Sequence, residues 1–354
     1  MPKESTLIAT ACWKQVTMAD KNSSPTKKFA LLAISAALAL GFTALAMQKP
    51  DATTESAQTE SAAPADQPLA VATKDITDAA GRRVSVPVEP KRVLALGEFD
   101  MDAMLALGMK PVGVTDGRGQ QTPPSYLKDL SAGIESIGRL AQPSIDKVIA
   151  AQPDLILTGT IQDEKLISQL QQIAPTVITS ATSENWRDMF KRIATALGKE
   201  SEAESFLVKY NEKAAKLRES LENPENVSVS VVRWSPKGPT YMLRDVFISQ
   251  VIEDVGLSRP PAQQESGIHS APLSLEALHE IDGDWIFVGT LSPVGDAADT
   301  FAEIRDNAAF KQLSGVNNGH LVLIDGSLWT SVGGPLAAMA ALEDIEKAML
   351  GKQG

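Results

Sequence analysis

Arginine and aromatic side chains gather where the predicted strands end. They are Arg118, Arg233, Tyr241, Arg244 and Trp329. In open α/β sheets, ligands bind outside the carboxyl ends of the strands. Guanidinium donors beside aromatic faces suit a bulky, planar ligand that is acidic or rich in oxygen. Taken singly, each arginine is also compatible with a solvated surface role.

A Gly-Gly-Pro sequence opens the last predicted helix. Gly333, Gly334 and Pro335 allow close approach of the backbone and leave free N–H groups, which predicts an anion-binding helix start.

Two other aromatic residues are expected to pack in the core. Trp186 lies at a predicted helix start, and Trp285 lies within a predicted strand.

Enzyme and metal motifs are missing from the sequence. It has no Gly-x-Ser-x-Gly elbow, no Walker loop and no Gly-x-Gly-x-x-Gly after a strand. One cysteine excludes a disulfide framework and Cys-based metal sites, and three scattered histidines argue against a His-rich metal centre. A formal net charge of -11 argues against a nucleic-acid partner, because phosphate binding requires an excess of Lys and Arg.

An internal repeat places one acid in each half of the chain. Residues 144–160 and 274–290 both read Ser, aliphatic, acid, any residue, aliphatic, and then a buried strand that ends in Gly-Thr. In each copy the serine is predicted to cap a short helix, with Asp146 or Glu276 in its first turn, where the helix dipole favours a carboxylate. General similarity between αβ units is the alternative explanation.

Strands and helices alternate from residue 75 onward, which predicts an α/β fold with parallel sheets. The predicted strands are 92–97, 111–114, 155–158, 176–179, 227–232, 285–288 and 321–324. The predicted helices between and after them are 100–107, 165–173, 247–255 and 336–350.

Two consecutive helices interrupt this alternation. Ser183 is predicted to cap a helix that ends before Gly198, and Ser201 to cap a second helix that Asn223-Pro224 terminates. About 20 residues at ~1.5 Å each give a rod of ~30 Å, long enough to bridge two lobes. A helix that lies on one lobe is the alternative.

The first 74 residues are not expected to belong to the fold. Two lysines, an uncharged run and the triplet Ala44-Leu45-Ala46 predict a signal peptide at 1–46 and therefore export. An uncleaved membrane anchor is the alternative, because a run of this length could just span a bilayer. Residues 47–74 are small, polar and Pro-containing, which predicts a flexible tether.

From Asp75 onward the chain resembles the periplasmic iron–siderophore binding proteins of ABC importers, a group that includes ferric hydroxamate, ferric dicitrate and cobalamin binders. The resemblance depends on the order and spacing of several short motifs. They are Asp78-Ala79-Ala80-Gly81-Arg82, Pro90-Lys91-Arg92-Val93, Leu105-Ala106-Leu107-Gly108, Pro143-Ser144-Ile145-Asp146, Pro153-Asp154-Leu155-Ile156, Leu273 to Leu278 and Trp329 to Pro335.

The resemblance implies two Rossmann-like lobes, 75–198 and 223–354, joined by a single long linker helix at 199–222. A ferric siderophore would bind in the cleft between them, with its iron held by the siderophore and not by the protein, and without a cofactor. The positions that bind the ligand in this family correspond to Arg118, Arg233, Tyr241, Arg244 and Trp329 of this chain. Arg139 is a weaker candidate.

The resemblance further implies that Asp146 and Glu276 dock onto arginines of an inner-membrane ABC permease. The family usually has Glu at both positions, so Asp146 is a departure that shortens the side chain by one methylene. The expected protein is a periplasmic monomer and not an enzyme. A cobalamin or haem carrier, a periplasmic hydrolase, and a tethered interaction domain without a pocket between its lobes are the alternatives.

Overall fold

The computed structural model describes residues 72–139, 142–159 and 163–351. These residues belong to one compact unit, Gln67–Gly354. The predicted signal peptide and the tether up to residue 71 lie outside the described residues. Within the described part of the chain, no helix is both long and apolar enough to cross a membrane.

The described chain up to Leu197, which we call the first lobe, forms a mainly parallel sheet preceded by an antiparallel hairpin. Its strands are β1 (Thr73–Thr77), β2 (Arg83–Pro87), β3 (Val93–Ala95), β4 (Gly113–Asp116), β5 (Ser136–Arg139), β6 (Gln142–Pro143), β7 (Leu155–Thr158) and β8 (Thr176–Ile178). Its helices are α1 (Glu98–Ala106), α2 (Ile145–Ala150), α3 (Glu164–Gln171) and α4 (Trp186–Leu197), with a 3-10 turn at Ser125–Leu127.

The strand order of this sheet is β6-β5-β4-β3-β7-β8, and the described strands run parallel except for β6. The chain thus proceeds outward from β3 through β4 to β5 and then returns to the other side of β3 with β7. The boundary between β3 and β7 is a topological switch point, where open α/β sheets form a crevice. All residues of β3 and β7 are buried, as expected for parallel strands covered on both faces.

Helix α5 (Glu200–Ser220) links the lobes and packs against α4 of the first lobe. We call the strands and helices after α5 the second lobe. Helix α5 also contacts two of these helices, and its buried residues include Leu207, Tyr210 and Ala214. The Tyr210 hydroxyl donates a 2.7 Å hydrogen bond to Asp254 in the second lobe. The predicted α/β architecture with a long linker helix is therefore confirmed.

The predicted caps of the two consecutive helices are wrong. Asn185 caps α4 by accepting the N–H of Arg187 at 2.9 Å, whereas Ser183 has a positive φ of 58°. Gly198 ends α4 in the left-handed conformation, and α5 starts at Glu200. The connection is so short that Ser201 lies inside the helix and cannot cap it.

The second lobe contains a four-stranded sheet of order β10-β9-β11-β12, in which β10 is antiparallel to β9. Its strands are β9 (Val229–Ser235), β10 (Gly238–Tyr241), β11 (Trp285–Gly289) and β12 (Leu321–Leu323). Its helices are α6 (Phe247–Asp254), α7 (Asp296–Ile304), α8 (Ala308–Lys311), α9 (Ser314–Asn317), α10 (Gly326–Trp329) and α11 (Pro335–Leu350). Short 3-10 helices occupy Pro224–Asn226, Pro261–Gln264 and Leu275–Ile281.

One large apolar core runs through both lobes. It joins side chains of α1 and α4, such as Met101 and Phe190, with Leu207 of α5, Val251 of α6 and Leu342 of α11. The lobes are therefore held together by packed helices, and the carboxyl ends of their sheets flank a cleft.

Candidate ligand-binding site

A cavity of about 600 Å³ lies between the two lobes. On the first lobe it is lined mainly by residues that follow β3, β4, β7 and β8. On the second lobe it is lined by Arg233 of β9, by Met242 and residues 245–247, and by residues 330–332. Its position agrees with the rule that ligands bind beyond the carboxyl ends of parallel strands. Its size lies in the range of small-molecule sites, about 300–1,000 Å³.

Two predicted ligand residues, Arg118 and Arg233, line this cavity from opposite lobes. Arg233 donates to the carbonyl oxygen of Thr330 at 3.2 Å. Within the described ranges, neither guanidinium has a carboxylate partner. Burial, and then repulsion from Arg118, lower the pKa of Arg233. Two cations that repel each other across a cavity form an electrostatic site for an anion.

Glu98, the first residue of α1, holds Arg118 in place and ties the lobes together. Its carboxylate is only 5% exposed. Its Oε1 accepts the backbone N–H of Arg118 at 2.5 Å, and its Oε2 accepts the hydroxyl of Ser331 from the second lobe. Both carboxylate oxygens are engaged by donors other than the arginine guanidiniums. The positive charge of Arg118 therefore stays available to a ligand.

Asp100 occupies the switch point between β3 and β7. Its Oδ1 accepts the Thr179 hydroxyl at 2.5 Å. Burial raises the pKa of Asp100 to about 6, although the Thr179 hydroxyl and the N–H groups of Gly159 and Gly97 act to lower it. A negative charge of the chain itself thus fills the position where related sheets bind phosphate. Anionic ligand groups are directed instead toward the arginines.

Aromatic and apolar side chains, among them Phe99, Trp186, Met189 and Phe247, form another wall of the cavity. The Trp186 ring packs edge-to-face against Tyr210 at 5.0 Å between centroids and against Phe247 at 6.4 Å. The guanidinium of Arg187 lies 4.7 Å from its centroid. Trp186 is 1% exposed, so the expectation that it packs in the core is confirmed, and the same residue contributes to the cavity wall. Trp186 comes directly after the loop that follows β8, and this position in the sequence could have predicted that it lines the cavity.

The sequence and the fold were compared with known proteins. The sequence profile described as "Periplasmic binding protein" matches residues 93–328, two thirds of the chain. The chain belongs to the periplasmic binding protein family. It is 28% identical over 291 residues to the probable siderophore-binding lipoprotein YfiY of Bacillus subtilis (strain 168), covering 78% of this chain and 88% of that protein.

Two further relatives agree with this assignment. The putative ABC transporter substrate-binding lipoprotein YhfQ of Bacillus subtilis (strain 168) is 31% identical over 281 residues, covering 75% of this chain and 86% of that protein. The structure is similar to that of Staphylococcus aureus SirA complexed with staphyloferrin B, with a TM-score of 0.69 and 26% identity, covering 78% of this chain and 99% of that chain.

The other predicted ligand residues of this periplasmic binding protein do not line the cavity. Trp329 is fully buried, stacks on Phe287 at 4.6 Å and donates its indole N–H to Asp344 at 2.8 Å, so its face cannot cover a ligand in this arrangement. Tyr241 is buried in a separate apolar cluster, with its hydroxyl 3.3 Å from Glu280.

Arg244 and Arg139 also lie outside the cavity lining. The Arg244 side chain is 63% exposed and lies 3.4 Å from Asp245, which lines the cavity while Arg244 does not. Arg139 is exposed at the end of β5, outside the cavity lining. Of the predicted ligand residues, the fold brings only Arg118 and Arg233 together at the cavity.

The predicted anion site at the Gly-Gly-Pro sequence is already filled by Asp102 of the first lobe. Its Oδ1 accepts the N–H of Leu336 at 2.7 Å, and its Oδ2 accepts the N–H of Ala337 at 3.0 Å and the Tyr126 hydroxyl at 2.9 Å. A Cβ atom on Gly334 would lie 2.3 Å from the carboxyl carbon of Asp102, so glycine is required there. The helix start binds an anion, but the anion belongs to the protein.

The two repeat acids are exposed on short helices, one in each lobe. Asp146 lies in α2, where Ser144 caps by accepting the N–H of Lys147 at 3.5 Å. Glu276 lies in the 3-10 helix Leu275–Ile281, where Ser274 forms no side-chain cap, contrary to expectation. The Ser274 hydroxyl instead lowers the pKa of the Glu276 carboxyl.

The aspartates later in the repeat have matching structural roles. Asp154, before β7, accepts the backbone N–H groups of Lys91 and Arg92 at 2.6 and 2.9 Å. Asp284, before β11, accepts the N–H of Ser228 at 2.7 Å. Each thus anchors the segment that enters the neighbouring strand, β3 or β9. The internal match therefore reflects equivalent architecture in the two lobes. Thr160, at the end of the first copy, lies outside the described residues.

Proposed function

We propose that this protein binds a ferric siderophore in the inter-lobe cleft and delivers it to an ABC-type import permease. The observation that carries the proposal is the pair Arg118 and Arg233, two cations without carboxylate partners in the described residues that line one cavity from opposite lobes. Guanidinium groups form strong, charge-assisted hydrogen bonds with carboxylate and similar oxygen donors. A ferric chelate presents such oxygens around a metal that the chelator already coordinates.

The donor set supports a ligand that carries its own iron coordination. In the described part of the chain, no group of three or more His, Cys, Asp or Glu side chains could hold a metal ion. The apolar wall with Phe99, Trp186 and Phe247 suits the organic part of a chelate. YfiY is described as siderophore-binding and SirA was crystallised with staphyloferrin B, which supports the same ligand class here.

The proposal includes export and a carrier role without catalysis. The protein acts as a monomer on the outer side of the inner membrane, in the periplasm, where Asp146 and Glu276 contact the permease. The family consists of binding proteins, and the cavity acids are engaged in structural hydrogen bonds: Glu98 with Ser331 and Asp100 with Thr179. This arrangement favours binding over hydrolysis.

Titration with ferric chelates tests the binding proposal. Trp186 lines the cavity, so ferric dicitrate, a ferric trihydroxamate or ferric enterobactin is expected to quench intrinsic fluorescence on binding. Arg233→Ala is expected to weaken binding by roughly 10- to 100-fold, the loss for a hydrogen bond to a charged group in a shielded site. Arg305→Ala removes an exposed arginine outside the cavity lining and should leave the Kd unchanged. Equal Kd values for the two variants would contradict the proposed site.

A further inference from the structure

Glu98 connects the two cavity arginines without forming an ion pair with either of them in the described residues. Its Oε1 accepts the backbone N–H of Arg118 at 2.5 Å, and its Oε2 accepts the hydroxyl of Ser331. The carbonyl oxygen of the preceding residue, Thr330, accepts the Arg233 guanidinium at 3.2 Å. One hydrogen-bonded path thus runs from the backbone of Arg118 across the lobes to the side chain of Arg233.

The loop of Arg118 requires an anchor because glycines flank this arginine on both sides. Arg118 lies in a turn that the N–H of Gln120 closes by donating to the carbonyl oxygen of Gly117 at 2.9 Å. Gly119 has a positive φ of 71°, and glycine leaves the backbone wide conformational freedom. The bond that closes the turn does not use the N–H of Arg118, so Glu98 fixes the backbone of this residue.

Repulsion between the two guanidiniums acts against a fixed spacing. Burial, and then repulsion from Arg118, lower the pKa of Arg233, so the two cations lie close enough to affect each other. Without a ligand between them, like charges favour a wider separation. The Glu98 carboxylate opposes this tendency because it joins the backbone of one arginine to the segment that holds the other. At 5% exposure, it is shielded from water that would compete for these bonds.

We propose that Glu98 is a positioning residue that sets the separation of Arg118 and Arg233, so that the cleft selects chelates presenting two anionic groups, one to each lobe. This inference rests on the proposed function, because a ferric chelate is the ligand that the two arginines share. Cations that are already held at the required distance reduce the ordering cost that binding would otherwise carry. A ligand that contacts only one arginine gains nothing from their spacing.

A double-mutant cycle between Glu98 and Arg233 tests this role. The probe is whichever of ferric dicitrate and ferric enterobactin the wild-type protein binds more tightly, since both are anionic. Glu98→Ala removes both acceptors and should raise the Kd by about tenfold or more. In the Arg233→Ala background the same substitution should raise the Kd by less than about threefold, because a lone Arg118 can follow the chelate. A purely structural residue would cost the same factor in both backgrounds.

Glu98→Gln separates the geometry of this residue from its charge. The amide oxygen of glutamine can accept the N–H of Arg118, and its amide N–H can donate to the hydroxyl of Ser331. The path between the arginines then persists while the negative charge is lost. This variant should bind the chelate no more than about threefold more weakly than the wild type.

A matched pair of serine variants cuts the path without changing Glu98. Ser331→Ala removes the donor from the second lobe and should raise the Kd by about three- to tenfold. Ser125→Ala is the control, because its hydroxyl also donates to a carboxylate across the lobes, that of Asp325 at 2.7 Å, but lies outside the cavity lining. This control should leave the Kd unchanged. The serine pair decides the question if Glu98→Ala does not fold.

Four results would overturn the positioning role. They are an unchanged Kd in Glu98→Ala, an equal loss in both backgrounds, an equal loss in Glu98→Gln and Glu98→Ala, and an equal effect of the two serine variants. In each of these cases the wild-type protein binds a chelate, so the proposed function stands. Binding of a neutral ferric trihydroxamate alone would remove the selectivity for two anionic groups and leave the proposed function. Failure to bind any of the three chelates would remove both.

Discussion

Individual side chains at the cavity differ in how far the protein itself satisfies them. Glu98 has donors on both carboxylate oxygens, and the Thr179 hydroxyl donates to Asp100. The guanidinium groups of Arg118 and Arg233 lack carboxylate partners in the described residues. These two guanidinium groups line the cavity, so a ligand can supply the acceptors that the protein does not.

The buried Asp100 carboxyl predicts a pH dependence of stability. Burial raises its pKa from 3.8 to about 6, so the folded state binds this proton more tightly than the unfolded state. The stabilisation that protonated Asp100 contributes to the folded state is fully present below about pH 4 and is lost as the pH rises through about 6. As the pH rises from 5 to 8, loss of this proton should lower the free energy of unfolding by on the order of 1 kcal/mol.

Denaturant unfolding of Asp100→Asn at several pH values checks this expectation. The variant should lose stability less steeply than the wild type between pH 5 and 8. Burial also raises the pKa values of Asp102 and Asp344, so some slope remains in the variant. Thr176→Val, which removes no titratable group, should keep the wild-type slope. Parallel curves for Asp100→Asn and the wild type would show that Asp100 is ionised equally in both states.

At the scale of elements, the contact between α1 and the start of α11 determines how the lobes meet. Asp102 supplies the acceptor that the N-terminal turn of α11 needs, since the first N–H groups of a helix have no partner within it. A carboxylate at this end also interacts favourably with the helix dipole. The glycine at 334 is explained by this approach and not by a ligand.

Replacing Asp102 with alanine should therefore destabilise the whole molecule. The variant leaves two helix N–H groups and the Tyr126 hydroxyl without their acceptor, while it also removes a buried carboxylate whose pKa burial raises to about 7. These opposing effects give an expected net loss of about 2 kcal/mol in the free energy of unfolding. Urea denaturation measures it.

A helix cap within one lobe provides the control for Asp102→Ala. Ser144→Ala removes the exposed cap of α2, whose hydrogen bond is long at 3.5 Å, and should cost no more than about 1 kcal/mol. A smaller loss for Asp102→Ala than for Ser144→Ala would show that the contact between the lobes contributes little to stability.

At the scale of the whole molecule, two lobes share one helical core and enclose one cleft. Helix α5 packs on helices of both lobes, and the lobes are also joined by the hydrogen bond of Ser125 to Asp325 at 2.7 Å. These links favour small changes in lobe spacing over wide opening. Asp146 and Glu276, one exposed acid on each lobe, can then be presented to a permease at a nearly constant separation.

Charge reversal at both exposed acids tests the docking role. Under the proposed docking role, Asp146→Lys combined with Glu276→Lys should abolish siderophore-dependent iron uptake by cells, because each lysine would repel a cationic group on the permease. The Kd of the purified variant for its chelate should stay within about threefold of the wild-type value, a shift below 1 kcal/mol. The cavity lining contains neither residue.

A second charge reversal controls for the change in net charge. Glu219→Lys with Glu225→Lys alters two exposed acids near the end of α5 and should leave uptake intact. Wild-type uptake by the Asp146 and Glu276 variant would exclude these acids from docking, and equal loss in both double variants would attribute the effect to net charge.

The sequence by itself determined the α/β class, the strand β7 at its observed bounds, the long helix near residues 199–222 and the two exposed acids. Hydrophobic periodicity and turn residues act locally, so these features follow from neighbouring residues. Only the tertiary structure decided which side chains reach the cleft. Asp102 and Leu336 are 234 residues apart in the chain, and the packing of α1 against α11 brings them together. Contacts with Phe287 and Asp344 bury Trp329, whereas Arg118 and Arg233 line the cavity from opposite lobes.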